Sequence, residues 1–253
     1  MRKVALIQAR MDSSRLPGKV MLPLAGKASV LHVVERLQHA NNIDHIVVAT
    51  AEHASNDQLV ALCQREGVDC YRGSLPDVLQ RLAGAARHAN AEVIARVTCD
   101  CPLIETDFID QRLAIIEKES CELTYCLTAG MIFAGASVMT AELLYRLDRE
   151  ITDASDREHG GLPYACRNRH LFNAKEVLPY AALNAYNFRL TVDELADYEL
   201  VSAIYDELYK PGRPIPIWNV IRYLEARPEL SAHNRHVQQT KVNDRSLMES
   251  PTR

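Results

Sequence analysis

The sequence predicts an α/β fold, a mostly parallel mixed sheet with helices on both of its faces. Short runs rich in β-branched residues alternate with longer segments whose apolar residues recur at helical spacing. This alternation is typical of parallel sheets, whose strands are joined by crossover helices. With 253 residues and 47% hydrophobic content, the chain can bury a full core of its own.

The first hundred residues show the alternation most clearly. Runs of β-branched and apolar residues predict strands at Lys3–Gln8, 45–50, 92–98 and, more briefly, 70–72. The segments between them predict helices at 29–40, 56–66 and 77–90. Because strands and helices strictly alternate here, these strands are expected to run parallel.

After about residue 119 the alternation breaks and later resumes. The pattern predicts strands at 122–126 and 136–139, a helix at 143–149 and an extended piece at 172–178. A strand at 186–191 and a helix at 194–208 then restore the earlier rhythm. We therefore expect a single domain over 1–235 with an inserted arm at 122–178, followed by a polar, partly disordered tail at 236–253.

The charge of the chain is unevenly distributed. Residues 1–34 hold six basic residues and one acidic residue, so this segment carries +5 in a chain whose net charge is −4. The local excess indicates a small anionic partner, whereas the acidic remainder argues against nucleic acid. No apolar run approaches the roughly 20 residues that span a bilayer, and no signal-peptide cleavage site follows the basic N-terminus. We expect a cytoplasmic protein without a membrane partner.

The chain contains seven cysteines, an odd number without the spacing of a disulfide framework. Cys99 and Cys101 flank Asp100, but no second pair stands at zinc-ligand spacing. We therefore expect free thiols and no zinc site.

A cationic loop follows the first predicted strand. It contains Arg10, Ser13, Ser14, Arg15 and, after the turn signal of Pro17 and Gly18, Lys19. Loops at the carboxyl ends of parallel strands commonly present cations and backbone N–H groups to phosphate. The spacing is not that of a Walker A motif, which argues against an ordinary P-loop kinase or ATPase. The alternative is a solvated surface turn.

Two acidic residues follow β-branched runs. Asp100 comes after the strand predicted at 92–98, and Asp193 comes after the strand predicted at 186–191. If both strands end at the same sheet edge, the two carboxylates can hold Mg²⁺ against phosphate oxygens. The alternatives are local: Asp100 can cap a turn, and Asp193 can cap the following helix.

These motifs together resemble the cytidylyltransferase family that includes a spore-coat polysaccharide biosynthesis protein and the enzymes activating 3-deoxy-manno-octulosonate and acylneuraminates. The resemblance covers roughly residues 3 to 235. It rests on an ordered set of segments: ALIQARMDSSRLPGKVMLPLAGK, VVAT, CYRGSLPDVLQRL, RVTCDCPLI, TDASDREHGGLPY and RLTVDELADYELV.

The resemblance implies a Rossmann-like nucleotide-diphospho-sugar transferase fold that binds CTP. An acceptor oxygen attacks the α-phosphate with Mg²⁺ assistance and releases pyrophosphate. The residues implied in triphosphate binding are Arg10, Ser13, Ser14, Arg15 and Lys19. Asp100 and Asp193 would be metal ligands, and the catalytic set would be Arg10, Lys19, Asp100 and Asp193.

The resemblance also implies a base and ribose pocket, an acceptor site and a homodimer. Arg72, Ser74 and Asp77 match the base and ribose side of the family's pocket. The acceptor, a small anionic molecule such as a sugar acid, would lie near Arg157, Glu158 and His159. The arm at 122–178 would form the dimer contact, since Met131, Ile132 and Phe133 lack an obvious strand to cover them.

Three positions depart from the family pattern. Asp12 and Cys99 stand where relatives usually have glycine, and FAGASVM at 133–139 lacks the acidic residue of the corresponding strand. The acceptor therefore differs from that of relatives, or activity is reduced. Two other functions remain open: a metal-dependent glycosyltransferase of the same fold, and a catalytically silent nucleotide-binding protein.

Overall fold

The structure is a computed structural model that describes residues 1–126 and 130–238. The strands of this part are β1 (Lys3–Gln8), β2 (Pro23–Leu24), β3 (Lys27–Ala28), β4 (His45–Ala51), β5 (Asp69–Gly73), β6 (Val93–Thr98), β7 (Leu123–Tyr125), β8 (Ala136–Thr140) and β9 (Ala174–Glu176). Seven of them form one sheet in the order β5-β4-β1-β6-β8-β7-β9, and β2 pairs with β3 in a separate ribbon.

The helices of the same part are α1 (Ser29–Gln38), α2 (Asp57–Arg65), α3 (Val78–His88), α4 (Thr106–Glu119), α5 (Ala141–Glu150), α6 (Ala154–Glu158), α7 (Leu162–Arg167), α8 (Ala181–Asn184), α9 (Leu195–Leu208), α10 (Ile217–Glu225) and α11 (Pro228–Ala232). No helix in the described residues is both long and apolar enough to cross a membrane. The cytoplasmic location stays a prediction.

The sheet is mixed and mostly parallel, as the sequence predicts. β1 lies parallel to both β4 and β6, and β4 lies parallel to β5. β8 runs antiparallel to β6 and to β7, and β7 runs parallel to β9. Because β1 and β6 pair in register as far as Gln8 and Thr98, the loops that follow both strands leave the sheet at the same edge.

Alternate residues of the central strands face two separate cores. Ala5 and Ile7 of β1 pack with α1, α2 and α4, whereas Val4 and Leu6 pack with α3 and α5 on the opposite face. This alternation follows from the two-residue period of a strand. A third core joins α9 and α10 to the segment that contains Leu190 and Val192.

The prediction of a strand at 186–191 is wrong. The structure gives this segment no strand pairing between α8 and α9. Leu190 and Val192 are buried in the third core, and the Val192 amide donates to the Asp100 carbonyl at 2.7 Å. The alternating pattern thus reflects burial of every second residue in an extended connection.

Two further elements differ from expectation. The sequence pattern predicts no helix at α4 or at α10. Both are helices with one buried face, α4 against the core of α1 and α2 and α10 in the third core. The predicted arm at 122–178 contributes β7, β8 and β9 to the main sheet. Its separate status and the domain boundary at 235 stay predictions, and the predicted tail lies, from residue 239 onward, outside the described residues.

Candidate active site

The loop after β1 has a fixed backbone. The Met11 amide donates to Asn56 Oδ1 at 2.9 Å, and the Met11 carbonyl accepts from the Ser13 and Gly18 amides at 3.0 and 2.9 Å. Gly18 has a φ of 71°, a left-handed conformation that favours glycine. The short 3₁₀ helix that begins at Lys19 therefore starts from a defined turn and directs the lysine toward the end of β6.

Lys19 lies between the two predicted metal ligands. Its Nζ is 3.3 Å from Asp100 Oδ2 and 2.9 Å from Asp193 Oδ1, and it donates to the Val192 carbonyl at 2.8 Å. Burial alone would lower the pKa of Lys19, but the two carboxylates outweigh burial and raise it. The structure thus brings together three residues that are far apart in the sequence.

Asp193 is the most heavily contacted acid of the site. Its carboxylate accepts from Arg15 Nη2 at 3.0 Å and from Arg189 Nη2 at 2.7 Å, in addition to Lys19. Burial would raise the pKa of Asp193, but Lys19, Arg15 and Arg189 lower it below its ordinary value. This carboxyl group is therefore ionised at neutral pH and carries three cationic neighbours.

Sequence reasoning missed the residues that hold Asp193 in place. Arg189 Nε lies 2.9 Å from Asp197 Oδ1, and Asp197 is fully buried. Asn234 Nδ2 donates to the same carboxylate at 2.8 Å. The sequence did contain a signal, since Arg189, Asp193 and Asp197 follow one another at four-residue intervals across the start of a helix.

Two interpretations of Asp193 are wrong. It does not end a strand, because residues 186–191 form none. Nor does it cap α9, because Glu194 is the N-cap and forms a capping box with Asp197. The Asp193 side chain is thereby left for Lys19, Arg15 and Arg189.

The arrangement fits a divalent cation. Asp100 and Asp193 both reach one positively charged atom, Lys19 Nζ, which occupies the place where a shared cation would lie. Hard divalent cations prefer such carboxylate oxygens. Among residues 1–126 and 130–238, no group of three or more His, Cys, Asp or Glu side chains forms a metal cluster. A bound cation would therefore take its remaining ligands from phosphate oxygens or water.

The other residues of the loop face different partners. Arg10 Nη2 lies 4.0 Å from Glu158 Oε1. Ser13 Oγ accepts from the Leu16 amide at 3.5 Å, and Ser14 is exposed. The Asp12 carboxylate accepts from Ser55 Oγ at 2.7 Å, so this unusual acid is bound by a neighbouring hydroxyl.

The predicted base and ribose residues line the connection from β5 to α3. Arg72 donates to Asp57 Oδ1 at 2.7 Å and to the His53 carbonyl at 3.0 Å. Ser74 Oγ accepts from the Asp77 amide at 3.2 Å. Asp77 caps α3 by accepting from the Gln80 amide at 2.9 Å. Their roles toward a nucleotide stay predictions.

The predicted acceptor residues belong to α6 and its C-terminal end. Arg157 donates to Asp77 Oδ2, to Asp148 Oδ1 and to the carbonyls of Asp148 and Ile151, at distances from 2.7 to 2.9 Å. Glu158 is exposed, and His159 Nδ1 is 2.7 Å from the Ser155 carbonyl. Every guanidinium nitrogen of Arg157 thus has a protein partner.

Cys99, which stands where relatives usually have glycine, lies in the core. Cys99 is buried, and burial raises the pKa of its thiol. None of the seven cysteines forms a disulfide in the structure. Ile132 and Phe133 are also buried, and the centroid of the Phe133 ring lies 5.1 Å from the centroid of the Phe108 ring. The expectation that these apolar residues lack cover within the chain is therefore wrong.

Comparison with known proteins identifies the family of this chain. A family model described as cytidylyltransferase matches residues 4–210. An uncharacterized protein of Methanocaldococcus jannaschii is 32% identical over 96% of this chain and 99% of its own length. The spore coat polysaccharide biosynthesis protein SpsF of Bacillus subtilis is 30% identical over 80% of this chain and 85% of its own length.

Solved structures show the same fold. A cytidylyltransferase from Leptospira borgpetersenii has a TM-score of 0.83 and 28% identity, covering 94% of this chain and all of its own. A CMP:2-keto-3-deoxy-manno-octonic acid synthetase, solved with CTP, has a TM-score of 0.62 and 17% identity, covering 81% of this chain and 98% of its own. The second likeness concerns the fold alone.

Proposed function

The chain belongs to the cytidylyltransferase family, a family of CTP-dependent nucleotidyltransferases, and we propose that it transfers CMP from CTP to a small anionic acceptor, a sugar acid or a similar molecule. The observation that carries this proposal is the convergence of Lys19, Asp100 and Asp193 at the carboxyl edge of the sheet. Cations and carboxylates within contact distance can bind a metal and a polyphosphate together.

The chemistry is a displacement at the α-phosphorus of CTP. The acceptor's hydroxyl oxygen forms a bond to that phosphorus and its proton passes to solvent, while the bond to the bridging oxygen breaks and its electron pair leaves with pyrophosphate. Arg15 and Lys19 stabilise the charge that collects on the leaving group, because both are cations at the edge of the sheet. Mg²⁺ bound by Asp100 and Asp193 would add positive charge against the same phosphate oxygens.

Binding requires an exchange of ionic partners. Before the nucleotide binds, Lys19 and Arg15 contact Asp193. A metal–nucleotide complex supplies a cation for the carboxylates and an anion for the lysine and arginine, so every charge keeps a partner. We propose that metal and CTP therefore bind cooperatively.

The acceptor is proposed to be smaller or less hydroxylated than the common sugar acids. The segment 133–139 offers no carboxylate to sugar hydroxyls. A site without such a group rejects a polyhydroxylated ligand because the desolvated hydroxyls lose their partners. The name of the SpsF relative supports a role in polysaccharide biosynthesis, and we propose surface glycan or secondary-metabolite assembly as the setting.

The test is pyrophosphate release from CTP and Mg²⁺ with a panel of acids that includes 3-deoxy-manno-octulosonate, N-acetylneuraminate and shorter hydroxy acids. We expect turnover with a shorter acid and little with either sugar acid. Asp100→Asn and Asp193→Asn should abolish it, whereas Asp206→Asn, which alters an exposed acid of α9, should not. Undiminished turnover in both site variants contradicts the proposal.

A further inference from the structure

Arg81 is a buried cation whose hydrogen bonding is incomplete. Its side chain is 0% exposed, and only its Nη1 has a recorded partner, the Ser74 carbonyl at 2.7 Å. Its Nε and Nη2 are buried and have no hydrogen-bond partner in the part of the chain that the structure describes. Buried donors of a charged group are costly to leave unpaired, so such a site calls for an explanation.

The other buried arginines of this protein do not share this feature. Arg36 donates through Nε and Nη1 to the carbonyls of Ile104 and Ile215, both at 2.7 Å. Arg112 donates through all three nitrogens, to Thr124 and to the Ala136 carbonyl. Arg72 also has a buried Nε without a partner, but its side chain is 34% exposed and pairs with Asp57, so Arg81 differs from the other arginines in having two unpaired donors on a fully buried side chain.

The surroundings of Arg81 are cationic. Burial, together with the charges of Arg10 and Arg96, lowers the pKa of Arg81 to about 10, although Asp77 opposes this shift. Asp77 is already engaged by the Gln80 amide and Arg157 Nε, at 2.9 and 2.7 Å. We call Arg10, Arg81 and Arg96 the arginine cluster.

Arg96 does not receive an anion either. Its Nε and Nη2 both donate to Gln8 Oε1, a neutral oxygen, at 3.2 and 2.8 Å. Among the described residues, the carboxylate at ion-pair distance from the cluster is that of Glu158, 4.0 Å from Arg10 Nη2 and 58% exposed. Glu158 is paired with Arg10 and not with Arg81, so the buried donors of Arg81 still lack a partner.

The segment around α6 forms one wall of the cluster. A Cβ added at Gly160 would lie 2.9 Å from Leu82 Cδ1 and 3.2 Å from Arg96 Nε, so the backbone there approaches the cluster closely. Glu158 stands two residues earlier, beside Arg10. A movement of α6 and Gly160 away from Arg96 would expose the arginine cluster to solvent at the end where Glu158 lies.

Arg81 and Arg96 lie on the opposite face of the sheet from Lys19, and Arg10, which belongs to the triphosphate loop, is the member of the cluster that joins the two regions. Val20, next to Lys19, packs in the core with α1 and α2, whereas α3, which carries Arg81, packs in the core with α5. Burial lowers the pKa of Arg96 and the charge of Asp100 opposes that shift, so Arg96 lies near a predicted metal ligand. An anion bound by Arg81 and Arg96 would therefore lie near the metal ligands and would share only Arg10 with the triphosphate loop.

We propose that the arginine cluster binds the carboxylate of the acceptor, which takes the place of Glu158 beside Arg10 and supplies the missing partner of Arg81. The inference rests on the proposed function. A guanidinium group with Nε and Nη2 free presents two donors in one plane, which matches a carboxylate. The acceptor's reactive oxygen would then be held between the cluster and the metal ligands.

The test uses the full chain and D-glycerate as the probe, with glycerol as its neutral analogue, at constant ionic strength. Glycerate should raise the melting temperature of the wild type, and glycerol should not. Arg81→Met should weaken glycerate binding about tenfold or more, because it removes the charge-assisted donors. Arg87→Met, which changes an exposed arginine of the same helix, should leave glycerate binding unchanged.

Glu158→Gln is a second variant, and it is expected to strengthen glycerate binding where Arg81→Met weakens it. It removes the acid that competes for Arg10, so glycerate should bind about threefold more tightly, as expected for a weak exposed ion pair. This residue is exposed, so its substitution leaves the fold intact even if Arg81→Met does not fold. Unchanged or weaker glycerate binding in Glu158→Gln contradicts the proposal.

Stability separates a ligand-binding role of Arg81 from a structural one. Without ligand, Arg81→Met should melt no lower than the wild type, because it removes an incompletely paired buried cation. Arg112→Met, whose partners would lose three hydrogen bonds, should melt several degrees lower. A comparable loss of stability in both variants means that Arg81 is structural and overturns the proposal.

Competition with CTP distinguishes a carboxylate bound at the arginine cluster from an anion bound in the triphosphate loop. With saturating CTP, glycerate should still bind the wild type, since Arg81 and Arg96 are not part of the triphosphate loop. Competition by CTP, tighter binding of inorganic phosphate than of glycerate, or equal effects of glycerate and glycerol would each overturn the proposal. Failure of the wild type to bind CTP at all would instead contradict the proposed function.

Discussion

Lys19 shows how a single side chain links the two halves of the candidate site. It follows the glycine turn of the first loop, yet its ammonium contacts Asp193, which lies far along the chain. The sequence identifies all three charged residues from their places after apolar runs. It does not show that they contact one another, because that contact depends on the packing of the segment at 186–194 against the loop after β6.

Replacing Lys19 by methionine should separate metal binding from nucleotide binding. Without nucleotide, Asp100 and Asp193 lose a competing cation, so Mn²⁺ should bind about tenfold more tightly, or ~1.4 kcal/mol. CTP should bind less tightly by about 1–3 kcal/mol because a charge-assisted contact is lost. Calorimetric titration measures both, with Lys27→Met, paired to Glu35, as the control. Weaker Mn²⁺ binding in Lys19→Met would refute the shared-site interpretation.

Arg157 illustrates a residue whose type and motif suggest a ligand but whose surroundings suggest structure. All of its nitrogens donate to Asp77, Asp148 or Ile151. Arg189 is the opposite case, since its position suggested nothing and it contacts the candidate metal ligand directly. The sequence therefore identifies charged residues that follow apolar runs, but the contacts that decide the role of Arg157 or Arg189 come from residues that only the fold brings near.

Arg157→Met should therefore act on stability. It removes four hydrogen bonds that join α6 to α3 and to the end of α5, so the free energy of unfolding should fall by about 2–4 kcal/mol. Chemical denaturation measures the change, with Arg169→Met as a control whose single recorded hydrogen bond is local. Full stability combined with lost acceptor binding would instead support the acceptor role that the motif implies.

At the scale of elements, the sequence predicts the strands and helices of the parallel half well. These elements have long periodic patterns and bury one face each, which is the feature that periodicity detects. The segment at 186–191 has the same alternation but no neighbouring strand to pair with. Whether an alternating segment joins a sheet depends on tertiary contacts, and these are not visible in its own residues.

The joint between α1 and the end of α9 gives a pH-dependent prediction. Glu35 accepts from Tyr209 Oη at 3.0 Å and lies 3.2 Å from Lys27 Nζ. Burial would raise the pKa of Glu35, but the bonds from Tyr209 and Lys27 lower it below its ordinary value. An acid with a lowered pKa stabilises the fold above its unfolded pKa of about 4.3, and this stability is lost as the pH falls.

Glu35→Gln should therefore lower the free energy of unfolding at pH 7 by about 1–3 kcal/mol, because charge-assisted bonds become neutral. The difference from the wild type should shrink as the pH falls from 5 toward 3. Denaturation curves at a series of pH values measure it. A difference that stays constant over this range would show that the carboxylate charge does not stabilise the joint.

At the scale of the whole molecule, the two faces of the sheet and the C-terminal helices form three cores. The homodimer is predicted from apolar residues without cover, but Ile132 and Phe133 are covered within the chain. Two other apolar side chains of the arm segment, Leu171 and Leu178, are 51% and 64% exposed, and Tyr180, two residues beyond the arm, is 46% exposed. Dimerisation through this segment stays a prediction.

Light scattering should give a mass near twice the 28.4 kDa of the chain at micromolar concentration. Leu178→Ser should weaken the dimer, because it removes apolar area from the proposed contact. Leu195→Ser, which changes an equally exposed leucine at the start of α9, is the control. A monomer mass for the wild type at every concentration would exclude the dimer.

The most direct test of the account is calorimetric titration with CTP, with and without Mg²⁺. The central claim is that Asp100 and Asp193 hold the metal while Lys19 and Arg15 hold the triphosphate. For the wild type we predict that Mg²⁺ tightens CTP binding by about tenfold or more, the effect of one added charge partner. In the double variant Asp100→Asn/Asp193→Asn this enhancement should vanish. A double variant whose CTP affinity still rises with Mg²⁺ as in the wild type would contradict the claim.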